Sequence, residues 1–227
     1  MRTLAVNSYL LCIATHINFY LSLYRLLDEI RAGVIIREVT KMGYYQTSRQ
    51  KIDISQVEFA GRVLDIGGGG EGVISRHSKD SVVAIDTRAD ELAETLDVGL
   101  KIIMDACNLQ FLDEYFNDIT CFFSLMYFDS NQIEKFFCEA HRVLKKEGFL
   151  WIWDATMPAD CSNEVFVAQL EICISEDEVI TPGYGVGWAR EHSAGFIKPF
   201  YEKAGFELLE INESSESFFI QLRRNFV

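Results

Sequence analysis

Between residues 61 and 154, short apolar runs alternate with segments in which apolar residues recur at three- and four-residue steps. An apolar run bounded by turn residues predicts a buried strand, and the three- to four-residue spacing predicts a helix. Their alternation predicts an α/β fold, a three-layer αβα sandwich with a doubly wound parallel sheet, because right-handed crossovers place helices on both faces. The predicted strands are residues 62–66, 82–85, 101–104, 119–124 and 149–153, and the predicted helices are residues 71–77, 89–95 and 133–144. Gly148 follows the last of these helices, where a left-handed cap is favoured.

Beyond residue 154 the alternation of strand and helix stops. Residues 165–174 alternate in polarity, and residues 178–181 follow a polar turn, which predicts an inserted hairpin within about residues 160–190. The stretch of residues 181–187 is rich in glycine and contains a proline, so we expect a loop.

The C-terminal part returns to regular structure. A helix is predicted near residues 194–204, followed by strands at 206–211 and 217–222. Their short connection makes these two strands antiparallel. The whole sheet is therefore expected to have seven strands, mostly parallel, with an antiparallel last strand.

The N-terminal segment differs from the rest of the chain. Residues 4–27 are largely apolar but are interrupted by polar side chains. The segment therefore lacks the unbroken run of about 18 apolar residues that a membrane-spanning helix needs. Residues 18–30 have helical spacing, and residues 42–50 are polar. We expect a helical cap or lid over residues 1–58 and one larger domain over residues 59–227, with a membrane-surface helix as the alternative for the first segment.

Charge and cysteine content exclude several classes of protein. The formal net charge is −13, and no basic stripe offsets it, so a nucleic acid partner is not expected. The six cysteines are scattered and form no C-x-x-C pair, so neither a metal site nor a disulfide framework is predicted. Reduced thiols indicate a cytoplasmic protein. The oligomeric state is not predictable from these features.

Four consecutive glycines follow the first predicted strand. Gly67, Gly69 and Gly72 satisfy the spacing of the dinucleotide-binding fingerprint, and Asp86 stands nineteen residues after Gly67. This spacing alone is a weak signal, because a nicotinamide-dependent oxidoreductase and other nucleoside-binding proteins share it.

Acidic residues around the glycines narrow the choice of cofactor. Asp65 precedes the turn, and Glu71 stands where a diphosphate would otherwise meet the positive end of the helix dipole. These carboxylates disfavour a diphosphate, but they favour a cofactor that carries adenosine, a sulfonium and an ammonium and has no phosphate. S-adenosylmethionine is therefore favoured over a dinucleotide.

Two further acids end the next two strands. Asp86 is placed to accept hydrogen bonds from both ribose hydroxyls, and Asp105, followed by Ala106, from an adenine amino group. The alternative for either residue is an ordinary helix cap. Three acids at successive strand ends beside four glycines favour the binding site.

Over residues 59–223 the sequence resembles the class I S-adenosylmethionine-dependent methyltransferases. The segments that carry the resemblance are VLDIGGGGEG, VVAID, KIIMDACNLQFL, DITCFFSLMYF, HRVLKKEGFLWIWD and KAGFELLEI, together with the antiparallel strand pair at the end. No N-P-P-Y or D-P-P-Y segment follows the fourth strand, so methylation of DNA bases or of protein glutamine is disfavoured. The resemblance implies cofactor contacts from Asp65, Gly67, Gly68, Gly69, Asp86, Thr87, Asp105, Ala106, Ser124 and Met126.

The acceptor side is predicted from strand ends and loops at the same edge. Tyr127 and His192 are the candidate catalytic residues, His192 as a base, with an exposed loop histidine as the alternative. Tyr127, Asp154, Tyr184 and Trp188 are the candidate substrate-binding residues. Aromatic side chains here are suited to screen a sulfonium from water.

The sequence therefore predicts a methyltransferase that uses S-adenosylmethionine to methylate a small molecule. A nicotinamide-dependent oxidoreductase is the first alternative, disfavoured by Asp65 and Glu71 and by the lack of a Tyr-x-x-x-Lys pair. A non-catalytic cofactor-binding module that recruits a partner protein is the second alternative.

Overall fold

The computed structural model describes residues 44–96, 98–159, 165–187 and 190–225. Within them the strands are β1 (Tyr44–Asp53), β2 (Val63–Ile66), β3 (Val82–Asp86), β4 (Leu100–Ile103), β5 (Phe116–Phe122), β6 (Leu144–Ala155), β7 (Val165–Ser175), β8 (Glu178–Ile180), β9 (Gly183–Gly187), β10 (Phe206–Glu213) and β11 (Ser217–Arg224). The α-helices are α1 (Val73–Ser78), α2 (Ala89–Glu94), α3 (Ser130–Val143) and α4 (Ala194–Ala204).

Seven strands form the central sheet, in the order β10-β11-β6-β5-β2-β3-β4. Strands β6, β5, β2, β3 and β4 pair in parallel, whereas β11 is antiparallel to both of its neighbours. The predicted seven-stranded sheet with an antiparallel last strand is confirmed. Because β2, β3, β5 and β6 run in one direction, their carboxyl ends meet at one edge, which is where ligands bind in such sheets.

The two faces of the central sheet are covered differently. Leu64 and Ile66 on one face pack in the core cluster that includes Phe137 of α3 and Ile197 of α4. Val63, on the other face, belongs to the cluster that contains residues of α1, α2, β1 and β7. The expected outer layer of helices is therefore complete on one face, and on the other a second sheet shares that layer with two short helices.

The second sheet contains four strands, with β1 parallel to β7 and with β8 and β9 antiparallel to it. The pairing of β7 with β8, at Ile172 with Ile180, confirms the predicted hairpin. Residues 183–187, predicted to be loop, are a strand instead. Tyr184 and Val186 are partly buried against the core while glycines occupy the alternate positions, so the glycine content hid the alternation that identifies a strand.

Strand β1 was not predicted, and residues 44–53 are not part of a helical segment. Its polar side chains obscure the alternation that identifies a strand. Their hydrogen-bond partners are distant in sequence, so the sequence alone does not show why polar residues are suited to this strand. Thr47 is buried and its Oγ1 accepts a hydrogen bond from Gln169 N at 2.9 Å, while the Ser48 side chain donates to the Glu216 carboxylate. Residues 1–43 lie outside the described residues, and a capping role for the N-terminal segment stays a prediction.

Helix α3 begins with a capping box between Asp129 and Gln132. The prediction that Gly148 caps its C-terminal end is wrong. The helix ends at Val143, and β6 follows directly. Glu147, not Gly148, has the left-handed conformation, with φ of 59°. Gly148 is needed for space instead, because a Cβ there would lie 2.7 Å from the carbonyl oxygen of Asn117.

Candidate functional site

The loop between β2 and α1 is shaped by glycines that no other residue replaces easily. Gly67, Gly70 and Gly72 have left-handed φ values of 67°, 58° and 58°. A Cβ on Gly67 would lie 2.3 Å from Oγ of Ser124, a residue that follows β5. The turn therefore packs closely against the end of the neighbouring strand.

Two carboxylates lie directly against this loop. A Cβ on Gly68 would lie 2.5 Å from Asp65 Oδ2, and a Cβ on Gly69 would lie 2.9 Å from Asp86 Oδ2. The structure thus brings together the end of β2, the glycine loop and the end of β3. The sequence predicts this arrangement from the carboxyl-end rule alone.

Asp65 is buried, with 2% of its surface exposed. Burial raises the pKa of its carboxyl to about 7, although the hydrogen bond from Thr120 acts in the opposite direction. Thr120 Oγ1 donates to Asp65 Oδ1 at 2.7 Å. The carboxyl is held in one orientation, and a nearby positive charge would favour its ionised form.

Asp86 is half-buried at the end of β3. Its Oδ1 accepts a hydrogen bond from Arg88 N at 2.9 Å. Burial raises the pKa of its carboxyl, and backbone hydrogen bonds from Arg88, Gly69 and Thr87 partly offset this effect. Thr87 itself is exposed. These bonds orient one oxygen of Asp86 while the carboxylate borders the loop.

Asp105 and Ala106 follow β4 at the same edge. Met104 N donates to Asp86 O at 2.9 Å, which brings the segment beside the end of β3. Asp105 is exposed, and its Oδ1 accepts a hydrogen bond from Cys107 N at 2.8 Å, whereas Ala106 is buried. The bond to Cys107 fixes the aspartate side chain in a local turn.

Thr95 supports the glycine loop from below and was not identified from the sequence. Its Oγ1 lies 3.2 Å from Glu91 O, 3.3 Å from Gly70 O and 3.4 Å from Gly68 O. A Cβ on Gly72 would lie 2.2 Å from Thr95 Cγ2. The position of Thr95, just after α2, gives no local sign of a contact that forms only in the fold.

The end of β5 provides an aromatic surface beside the loop. Phe123 is buried and has a left-handed φ of 48°, which is unusual for a bulky residue. Its ring stacks on that of Tyr184 in β9, with centroids 5.7 Å apart. Met126 is buried in the turn that follows, whereas Tyr127 is 39% exposed. The second sheet therefore reaches the predicted acceptor side through Tyr184.

His192 is fully buried and is not the exposed loop histidine considered as the alternative. Its Nε2 lies 3.4 Å from Oδ2 of Asp154, which is also fully buried. Its Nδ1 lies 3.2 Å from the Arg190 Nη1 atom. Neither Asp154 nor His192 is open to a substrate in this arrangement. Trp188 lies outside the described residues.

Metal-binding and membrane-spanning features are not found in the described ranges. No group of three or more histidine, cysteine, aspartate or glutamate side chains is arranged to hold a metal ion there. Likewise, no helix among the described residues has the length and apolar character needed to cross a membrane.

Comparison with known proteins finds a family model that matches the central part of the chain. Residues 64–152 match the family model of the methyltransferase domain. None of the curated proteins matches the chain in sequence.

Solved structures share the fold at low sequence identity. An S-adenosylmethionine-dependent methyltransferase from Mesorhizobium loti has a TM-score of 0.55 and 15% identity, over 74% of this chain and 93% of that one. One from Methanosarcina mazei has a TM-score of 0.53 and 17% identity, over 75% of this chain and 95% of that one. The [4+2]-cyclase SpnF has a TM-score of 0.56 and 16% identity, over 75% of this chain and 77% of that one.

The predicted resemblance is therefore confirmed, both by the match over residues 64–152 and by the fold shared with the solved structures. Residues 64–152 match the methyltransferase domain model, and the chain shares its fold with solved S-adenosylmethionine-dependent methyltransferases.

Proposed function

We propose that this domain binds S-adenosylmethionine at the glycine loop and directs methyl transfer to a small-molecule acceptor. The observation that supports the proposal most strongly is the placement of Asp65 and Asp86 against Gly68 and Gly69. When bound, the cofactor supplies a methyl group on a sulfonium. The glycines leave the space that a nucleoside with an extended amino acid chain needs.

Charge distinguishes this cofactor from a dinucleotide. Glu91 is close to the loop as well, because a Cβ on Gly70 would lie 3.1 Å from its Oε2. Arg88 forms ion pairs with Glu91 at 2.7 Å and with Asp90, so its positive charge is balanced locally. Carboxylates beside the loop repel a diphosphate and attract a cation, which favours a sulfonium cofactor.

Each strand end has a distinct role in this proposal. Asp86 accepts hydrogen bonds from the ribose hydroxyls, with Thr87 beside it. Asp105 and Ala106 contact the adenine. Asp65 acts from beneath the loop, where its negative charge favours the ammonium group of the amino acid chain. Ser124 and Met126 border the loop from the end of β5.

Tyr127 and Tyr184 are the proposed acceptor-side residues. Tyr127 is exposed, and the partly exposed Tyr184, which stacks on the buried Phe123, presents an aromatic surface at the same edge. Such a surface excludes water and suits a partly apolar acceptor. Holding the acceptor in line with the methyl group accounts for much of the rate in reactions of this type.

A general base is required only when the acceptor keeps its proton. The sequence predicts that role for His192, but a base must reach the proton that it removes. Because His192 is fully buried, Tyr127 is the better placed of the two candidates.

The proposal includes a cytoplasmic location. Four cysteines in the described ranges, Cys107, Cys121, Cys138 and Cys173, are unpaired, as expected for a reducing compartment. The formal net charge of −13 supports a small-molecule acceptor over a nucleic acid.

Isothermal titration with two ligands tests the cofactor class. We expect S-adenosylmethionine to bind and NADH not to bind. The opposite result would reverse the assignment to the oxidoreductase alternative.

Reaction class is tested separately, since the fold is shared with a [4+2]-cyclase. Incubation with acceptor pools should produce S-adenosylhomocysteine. Cofactor binding without any such product would favour a non-catalytic or non-methylating protein.

A further inference from the structure

Asp154, Arg190 and His192 form a polar cluster at the carboxyl end of β6, named here the Asp154 cluster. Asp154 and His192 have no exposed surface, and Arg190 is half-buried. Buried ionisable groups are costly unless they are matched by partners, and apolar residues of similar size often stabilise a core equally well. The stability of the core alone is therefore a poor explanation for this cluster.

The cluster holds a short helical turn, Leu125–Tyr127, at two points. The Asp154 Oδ2 atom accepts a hydrogen bond from Met126 N at 3.1 Å. On the other side, Arg190 Nη2 donates to the carbonyl oxygen of Phe128. Tyr127 lies between these two bonds, so the backbone is fixed immediately before and immediately after it.

His192 connects the two charged members of the cluster. A guanidinium only donates hydrogen bonds, so the Arg190 Nη1 atom, 3.2 Å away, makes His192 Nδ1 an acceptor. The ring proton is then on Nε2, which faces Asp154 Oδ2 at 3.4 Å. Backbone bonds with Met157, at 2.7 and 2.9 Å, hold His192 in place.

We propose that the Asp154 cluster positions Tyr127 on the acceptor side of the site, and that His192 is a positioning residue and not a general base. The acceptor-side role of Tyr127 rests on the proposed function, whereas the hydrogen bonds between the Asp154 cluster and the turn that contains Tyr127 do not. Both ring nitrogens of His192 face protein groups, and Tyr127 is the side chain of the turn that reaches solvent.

A fluorine probe on Tyr127 tests the connection directly. With 3-fluorotyrosine at position 127, the wild-type protein should give one narrow fluorine NMR line. His192→Phe keeps a ring but removes both polar contacts, and Arg190→Met removes the bond to Phe128. Each should broaden, split or shift the line. His192→Asn keeps an acceptor for Arg190 and should restore much of the wild-type signal.

Asp118→Asn is the matched control. Asp118 is also fully buried and accepts hydrogen bonds from Ala60 N at 2.7 Å and from Trp151 Nε1 at 2.8 Å, at the opposite end of β5. Its substitution should lower the melting temperature without changing the fluorine line.

An unchanged line in folded His192→Phe and Arg190→Met proteins would overturn the proposal. If His192→Phe does not fold, Arg190→Met alone decides, because Arg190 is only half-buried. The measurement is made without cofactor, so failure of S-adenosylmethionine to bind the wild-type protein would refute the proposed function and leave the fluorine result valid.

Discussion

Asp65 and Gly68 are in contact across the first turn of the domain, where a Cβ on Gly68 would lie 2.5 Å from Asp65 Oδ2. A buried carboxylate and a residue without a side chain are thus packed against each other at the point where a ligand would approach. Any larger residue at position 68 would displace the carboxylate or the loop. The spacing of the glycines is explained by contacts with acids, in addition to the turn itself.

The Gly67→Ala substitution should impair both stability and cofactor binding. Its left-handed backbone costs an alanine about 1–2 kcal/mol, and the new methyl group would overlap Ser124 Oγ. Chemical denaturation and calorimetric titration with S-adenosylmethionine measure the two effects. Adding Ser124→Gly removes the overlap and should recover part of the stability. A Gly67→Ala protein with wild-type affinity would show that the loop does not form the binding site.

Asp65 should make the stability of the cofactor-free protein fall as pH rises. Its carboxyl has a pKa of about 7 in the folded protein and near 3.8 when unfolded, so the folded state holds the proton between these values. Unfolding then releases it, and the stability decreases by up to about 1.4 kcal/mol per pH unit between pH 4 and pH 7.

Asp65→Asn removes this contribution. The difference in unfolding free energy between variant and wild type should therefore increase from pH 5 to pH 7 and level off above that, as measured by urea denaturation. Asp53→Asn is the control. Hydrogen bonds from Ser55 lower the pKa of Asp53, so the contribution of Asp53 to stability is constant above about pH 4 and changes with pH only below that value. A difference independent of pH for Asp65→Asn would contradict the account.

Thr95→Val should loosen the glycine loop without changing the shape of the side chain. The substitution removes a hydroxyl beside the carbonyl oxygens of Glu91, Gly70 and Gly68. Glu91 O keeps its hydrogen bond from Gly70 N, so the substitution should cost about 0.5–1.5 kcal/mol for the one hydrogen bond that the hydroxyl donates. Hydrogen exchange of the loop amides should become faster. Protection equal to that of the wild-type protein would mean that Thr95 does not support the loop.

Gly148→Ala should be strongly destabilising although Gly148 does not cap a helix. A Cβ there would meet the carbonyl oxygens of Asn117 and Lys145 at 2.7 and 2.9 Å. Gly187→Ala is the matched control, since no atom lies within 4 Å of the Cβ that it would add. Melting temperatures of the two variants give the comparison. Equal melting temperatures would show that β6 can shift to accept the methyl group.

The central sheet was predictable because its strands are local apolar runs separated by helices and turns. The same holds for the glycine loop and for Asp86, whose positions follow from the order of strand and turn along the chain. Strand β1 was not predictable, because the bond from Gln169 N to Thr47 joins distant parts of the sequence. The left-handed Phe123 and Glu147 likewise have no local sequence signal.

The burial of His192 likewise has no local sequence signal. The residue type and the loop composition around it suggest exposure, whereas its neighbours Asp154 and Phe218 come from strands that only the folded sheet brings near. A site residue is predictable when its role depends on its position at a strand end. It is not predictable when its role depends on partners from several elements.

The affinity of Asp86→Ala for S-adenosylmethionine is the most direct test of the account, with Asp113→Ala as the control at an exposed carboxylate paired with Arg142. Loss of a charged hydrogen-bond acceptor costs about 1.5–3 kcal/mol, so calorimetric titration should show affinity reduced by about 10- to 150-fold for Asp86→Ala and unchanged for Asp113→Ala. Equal affinities of wild-type and Asp86→Ala proteins would contradict the claim that these carboxylates bind the cofactor.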